Sequence, residues 1–259
     1  MKNIKILVAL HKSYKLPTDD IYYPIQVGGK QIPNLKNALS DNTGENISSK
    51  NNSYCELTAL FWAWKNLDDE YIGLCHYRRY FARKIITTNN YKLIANRAVI
   101  EKALTEADVI LPKKRNYYIE TTYSQYIHAH HKKDIDFVKD IISNDYPEYL
   151  NAFNMVMNST SGHRFNMLVM KKEILNDYCD WLFTILFKAE NRINIESYDD
   201  YNKRVFGFLA ERLLDVWIES NHIQYVELPI VNLENQHWPK KIVNFLNRKL
   251  TYKSRKATL

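Results

Sequence analysis

The chain has 259 residues, 46% hydrophobic and 25% charged, which suits one large domain with a buried core and excludes a disordered segment. Lys+Arg 36 against Asp+Glu 29 leaves a formal charge of +7, a balance that favours anionic partners: nucleic acid, phosphorylated small molecules or an anionic membrane surface. Only six glycines occur, and only Gly28 and Gly29 are adjacent, which excludes both the G-x-G-x-x-G dinucleotide fingerprint and the G-x-x-x-x-G-K-[ST] phosphate loop.

In chain order, the β-branched run at residues 4–10 predicts a buried first strand. A loop rich in Pro and Gly follows, with a short strand at residues 22–27. The cluster Asp41-Asn42-Thr43-Gly44-Glu45-Asn46 is a turn, and Ser53 is placed to cap a helix over residues 54–67. Residues 71–75 read as a second buried strand, 96–106 as a helix and 108–111 as a third strand ended by Pro112. One or two helices cover 123–144, a fourth strand 165–170, helices 173–190 and 207–221, and a last strand 224–228. Strands alternating with helices predict a mainly parallel α/β sheet covered on both faces. Cys55, Cys75 and Cys179 are far apart and form no C-x-x-C pair, so the expected compartment is a reducing cytoplasm. No window reaches 18 apolar residues and the amino-terminal run is too short for a signal peptide, so a soluble protein is expected.

Several constellations could carry chemistry. Directly after the second strand stands Cys75-His76-Tyr77-Arg78-Arg79-Tyr80-Phe81, at the strand end where open α/β sheets bind ligands. Guanidinium groups there suit a diphosphate, and adjacent strand residues face opposite ways, so one of Arg78 and Arg79 is expected to enter the site. The polar loop from Asp41 to Asn52 leads into a helix start carrying Tyr54 and Glu56, a natural place for anions or hydroxyls. Glu211 lies among apolar neighbours near a helix start, where burial would suit a general base. His128, His130, His131, Asp134 and Asp136 are the densest potential ligand cluster, with His131 and Asp134 on one helical face. Spacing assures no third ligand. Asp134-Ile135-Asp136 falls inside a predicted helix rather than after a strand, and a solvated helix face is the simpler account of it.

Three long blocks then resemble a known family: Asp41-Asn42-Thr43-Gly44 with Asn46-Ile47-Ser48; Tyr54-x-Glu56-Leu57-Thr58 running to Trp62-Ala63-Trp64-Lys65-Asn66; and Tyr71-Ile72-Gly73-Leu74-x-His76-Tyr77-Arg78-Arg79-Tyr80-Phe81. Later blocks around Asn166-Met167, Tyr178-Cys179 and Arg204-x-x-Gly207-Phe208-Leu209-Ala210-Glu211-Arg212-Leu213 agree in order. Together they resemble the bacterial polysaccharide-biosynthesis glycosyltransferases formerly labelled a domain of unknown function (DUF4422), some of which are β-galactofuranosyltransferases. The resemblance spans roughly residues 4–235. It implies a GT-A-like fold over residues 1–239, with 240–259 a basic tail, and transfer of a hexosyl unit from a UDP-sugar to a growing capsule, O-antigen or exopolysaccharide acceptor.

Where other GT-A enzymes carry a metal-binding D-x-D, this chain has His76-Tyr77-Arg78. A cationic side chain neutralising the leaving diphosphate is therefore expected in place of a required metal. Should Mn or Mg act after all, His131 and Asp134 are the fallback ligands. By position, Glu211 is the expected general base of an inverting displacement, with His76 and Arg78 or Arg79 stabilising departing UDP. Asp41, Asn42, Thr43, Asn46, Ser48 and Lys50 are the candidate contacts to donor ribose or phosphate, joined by Tyr54, Glu56 and Tyr77. The candidate acceptor contacts are His131, Asp134, Asn166 and Arg204. The expected acceptor is an oligosaccharide on polyprenyl diphosphate, met at the inner face of the membrane through the basic, partly apolar tail. The competing class is a nucleic-acid-binding module without catalysis, for which no recognition signature is present. A hydrolase would need a second carboxylate beside Glu211, and none presents itself.

Overall fold

A computed structural model describes residues 1–33, 35, 38–84 and 90–234. The basic tail at 240–259 lies outside the described residues. The run at 4–10 forms β1 (Ile4–Leu10), and its side chains divide by parity. Leu7 and Ala9 join one apolar core, while Ile4, Ile6, Val8 and Leu10 join a second on the opposite face. A strand buried on both faces is apolar almost throughout; the exception, Lys5, is half-buried near the strand's start and pairs with Asp69 at 2.9 Å.

Parallel to β1 lie β2 (Tyr22–Gln26) on one side and β4 (Tyr71–His76) on the other, with β3 (Leu39–Ser40) parallel to β2. Beyond β4 comes β9 (Leu168–Lys171), antiparallel both to β4 and to β6 (Val109–Pro112), and β10 (Val226–Leu228) closes that edge parallel to β6. The main order is β10-β6-β9-β4-β1-β2-β3, with β5 (Arg79–Phe81) paired to the end of β4 and to β11 (Ile230–Asn232). The sheet is thus mainly parallel, as expected, with β9 as an antiparallel seam that an apolar run alone does not reveal.

The expected helix at 54–67 is two helices, α1 (Asn51–Tyr54) and α2 (Leu57–Asn66), broken where Cys55 takes a left-handed φ of 53°. Small α3 (Arg97–Ala103) covers the second core. The larger core is built under α2 by α4 (Thr122–Ala129), α5 (Lys132–Asp145), α6 (Leu150–Asn158), α7 (Lys172–Glu190) and α8 (Val205–Ser220). There Phe61 meets Phe183 edge-on at 5.0 Å, and Trp64 stacks on Phe183 at 5.9 Å. Such pairs add about 0.5–1.5 kcal/mol beyond the burial of their area. The expected fourth strand begins late, at Leu168, because Phe165 and Asn166 adopt φ of 80° and 50°. No helix among the described residues is long and apolar enough to cross a membrane.

Candidate functional site

Parallel pairing sends the carboxyl ends of β1, β2 and β4 to one edge, and the chain leaving each strand carries a basic group: His11, Lys30 and Arg78. These three, with Lys203 and Arg204 just before α8, surround a cleft of about 490 Å³. Its lining places four permanently basic side chains (Lys30, Arg78, Lys203 and Arg204) against two carboxylates, Glu56 and Asp200. The surplus is local and concave, which is what an anionic ligand smaller than a macromolecule needs. Tyr77 forms part of the wall, with His11 edge-on at 5.1 Å and Tyr14 at 4.9 Å.

Lys30 is positioned by a buried carboxylate. Asp41 is completely inaccessible, and it accepts hydrogen bonds from Gly28 N (3.0 Å), Gly29 N (3.4 Å), Ser48 Oγ (2.5 Å) and Thr58 Oγ1 (2.6 Å). Four donors offset the desolvation of the charge. Gly28 has a φ of +71°, and a Cβ there would lie 2.9 Å from Asn51 Oδ1, so glycine is required on both counts. The loop preceding Lys30 is therefore held from beneath by Asp41 and from the side by Asn51.

On the floor of the cleft, His76 Nε2 lies 2.6 Å from the Phe165 carbonyl. A carbonyl only accepts, so Nε2 carries the hydrogen. Burial, reinforced by Arg79 and Arg78 and only partly offset by Glu56, holds this imidazole below the ordinary histidine value. It is neutral near pH 7, so the positive charge of the cleft comes from Lys and Arg. Glu56 Oε1 accepts from Asn166 Nδ2 at 2.7 Å and stands 3.8 Å from His76 Nε2. Glu56 Oε2 has no hydrogen-bond partner among the described residues, and the side chain lines the cleft. Asn166 Nδ2 also donates to the Gly207 carbonyl at 3.1 Å, which ties this floor to α8.

Glu211 sits behind that floor. Its Oε1 accepts the Phe165 amide at 3.0 Å and its Oε2 meets Arg212 Nη1 at 2.8 Å. Both oxygens are engaged, and Glu211 does not line the cleft. Its evident work is to hold Phe165 in the left-handed conformation that aims its carbonyl at His76. The two arginines separate, though by a turn rather than by strand alternation, since Tyr77 and Arg78 join β4 to β5. Arg78 faces the cleft and pairs with Glu234 at 3.0 Å, whereas Arg79 donates to Asn232 Oδ1 at 3.1 Å and stacks on Phe165 at 4.5 Å.

Of the residues singled out in the sequence, Glu56, His76, Tyr77, Arg78 and Arg204 line the cleft. Arg204 Nε lies 3.2 Å from Cys55 Sγ, whose thiol burial has pushed up to about 11. Asn42, Thr43 and Asn46 spend their polar groups within their own loop or on Trp62. Lys50 (2.5 Å) and Tyr54 (3.1 Å) both turn to Glu190 on α7. His131 stacks on Tyr198 at 4.0 Å, while Asp134 is buried and accepts from Tyr198 Oη at 2.6 Å. No group of three or more His, Cys, Asp or Glu suited to a metal ion occurs among the described residues. Sequence reasoning missed His11, Lys30, Lys203 and Asp200. The only signal for the first two was a basic residue just past each parallel strand.

With this geometry in hand, comparison with known proteins is informative. A family model described as a domain of unknown function, DUF4422, matches residues 5–222. No curated protein matches. Among solved structures, the apo form of the bifunctional glycosyltransferase WbbM is 30% identical and superposes with a TM-score of 0.81. The match covers 90% of this chain and 46% of WbbM, so the chain is similar to about half of that protein.

Proposed function

Given that the chain belongs to the DUF4422 family, we propose that it is a glycosyltransferase whose cleft takes a UDP-sugar and passes the hexosyl unit to a polysaccharide acceptor. The observation that carries this is the cluster of Lys30, Arg78, Lys203 and Arg204 at the carboxyl ends of parallel strands. A donor diphosphate fits such a site, because fixed cations stabilise it most as negative charge builds on the leaving oxygen. The likeness to about half of WbbM supports the reaction class. A binding module for nucleic acid would instead present its cations as an open stripe.

In this reading an acceptor hydroxyl attacks the anomeric carbon and the bond from that carbon to the diphosphate oxygen breaks. The electron pair leaves with UDP, whose charge is received by Arg78, Lys30 and Arg204. The acceptor proton goes to Glu56, the carboxylate that opens on the cleft, with Asn166 fixing its other oxygen. Glu211, given this duty from sequence position, acts instead through Phe165 as a brace. His76, neutral, donates to the Phe165 carbonyl, and Asn166 orients Glu56. In this reading side chains supply the charge at the D-x-D position in place of a divalent cation, and the single displacement inverts the anomeric centre. The acceptor is an oligosaccharide on polyprenyl diphosphate, and galactofuranose is the leading donor sugar.

A thermal-shift panel tests the reading. UDP should raise the melting temperature more than GDP, CMP or ADP, and equally with manganese or with EDTA. A response to none of them would refute the donor site; a response that needs manganese would refute metal independence.

A further inference from the structure

Strand β6 is antiparallel to β9, which is antiparallel to β4, so β6 runs with β1 and β4 and exits at the same edge of the sheet as the cleft. The chain that leaves it reads Lys113-Lys114-Arg115-Asn116-Tyr117-Tyr118-Ile119. Lys113, Lys114 and Arg115 are exposed, and the segment holds no acid. Tyr118 is 82% exposed and Ile119 57%. Single exposed apolar residues are ordinary, but these two are consecutive, and Tyr118 is the most exposed large apolar residue after the amino-terminal Met1 among those described.

The turn is built to hold them out. Tyr118 has a φ of +58°, unusual for an aromatic residue. Its amide donates to Asn116 Oδ1 at 2.8 Å, and the Ile119 amide donates to the Tyr117 carbonyl at 2.6 Å. Strands β7 (Arg115–Asn116) and β8 (Ser161–Gly162) pin the base, and Tyr117 Oη accepts from Arg164 Nε at 2.7 Å. Arg164 precedes Phe165, so the turn is tied to the floor of the cleft. The next acid in sequence, Glu120, is 5% exposed and bound to His128 at 2.5 Å, while Lys114 lies over the Tyr225 ring at 5.6 Å with Asp215 and Glu227 beside it, which leaves Lys113 as the main exposed cation of the tip.

We propose that residues 113–119 form a membrane-docking tip that seats the cleft-bearing edge of the protein on an anionic phospholipid bilayer. Two convex side chains are too little area for a stable protein interface. A bilayer interface accepts them: tyrosine rings favour the headgroup region, aliphatic tips enter the acyl boundary, and neighbouring lysine and arginine are drawn to anionic headgroups. The tip is distinct from the basic tail at 240–259 and rests on a rigid loop rather than on net charge.

The test uses the full chain, so that the tail is common to every arm. Wild-type protein should co-sediment with vesicles of phosphatidylcholine and phosphatidylglycerol (7:3) and much less with phosphatidylcholine alone. Y118S/I119S and K113S should each weaken partitioning, the first on the order of ten-fold and the second by a few-fold. Their melting temperatures and responses to UDP should stay unchanged, which separates this proposal from the donor-site reading. Y118W should add emission that shifts to the blue on mixing with the anionic vesicles. Failure of the wild type to bind them, or binding by Y118S/I119S equal to wild type, would overturn the tip. So would a Y118W spectrum that vesicles leave unmoved.

Discussion

Arg78 and Arg79 show how one step along the chain separates two tasks. Arg78 opens on the cleft, while Arg79 is spent on Asn232 and the Phe165 ring. Arg78→Ala should lower UDP release from a UDP-sugar by about 10²–10³-fold with little change in melting temperature. Arg79→Ala should cost about 1–2 kcal/mol in urea unfolding, because its planar group is packed as well as paired. The reverse pattern would exchange their roles. A second contrast concerns the carboxylates. Glu56→Gln should retain the thermal response to UDP yet lose about 10²–10⁴-fold in turnover. Glu211→Gln should show its main effect as lost stability, since it would leave the buried Arg212 short of its partner. That the two arginines part was legible in the sequence, but for another reason than strand alternation: Arg78 stands in the two-residue turn between β4 and β5, and only Arg79 is on a strand. Lys30 was not, because it reaches Arg78 and Arg204 only through pairing of strands far apart in the chain.

At the scale of elements, apolar periodicity located β1 and α8 to within two residues, but it failed where backbone geometry departs from the regular. The helix break at Cys55 and the late start of β9 both follow from left-handed residues held by tertiary partners, Glu211 among them. No local pattern announces these. The loop after β3 makes the same point, since its polar residues, which suggested direct ligand contact, hydrogen-bond within the loop and to its neighbours. Asp41→Ala would orphan two glycine amides and two hydroxyls. It should cost roughly 2–4 kcal/mol in chemical unfolding and, by freeing the Lys30 loop, weaken UDP binding measured by calorimetry. An unaltered affinity would show that Lys30 needs no support from beneath.

For the whole molecule, two histidines beside the cleft set a pH dependence. Burial lowers His11, with Lys12, Lys30, Arg78 and Arg204 adding to it, and burial lowers His76 as well. The unfolded chain therefore takes up protons near pH 6.5 that the fold refuses, and stability falls as pH drops from about 7 through 6.5 toward the depressed values. Calorimetric scans of the unliganded protein from pH 7.5 to 5.5 should show a declining melting temperature, and His11→Phe should flatten part of the decline. The fold class was legible in the sequence, whereas the direction of β9 was not, and that seam bears on how the protein is made. During synthesis β4 and β6 both emerge well before β9, the strand that must lie between them. For some fifty residues of translation each exposes an unpaired edge to the other, so the nascent chain passes through an interval in which the nearest available pairing is the wrong one.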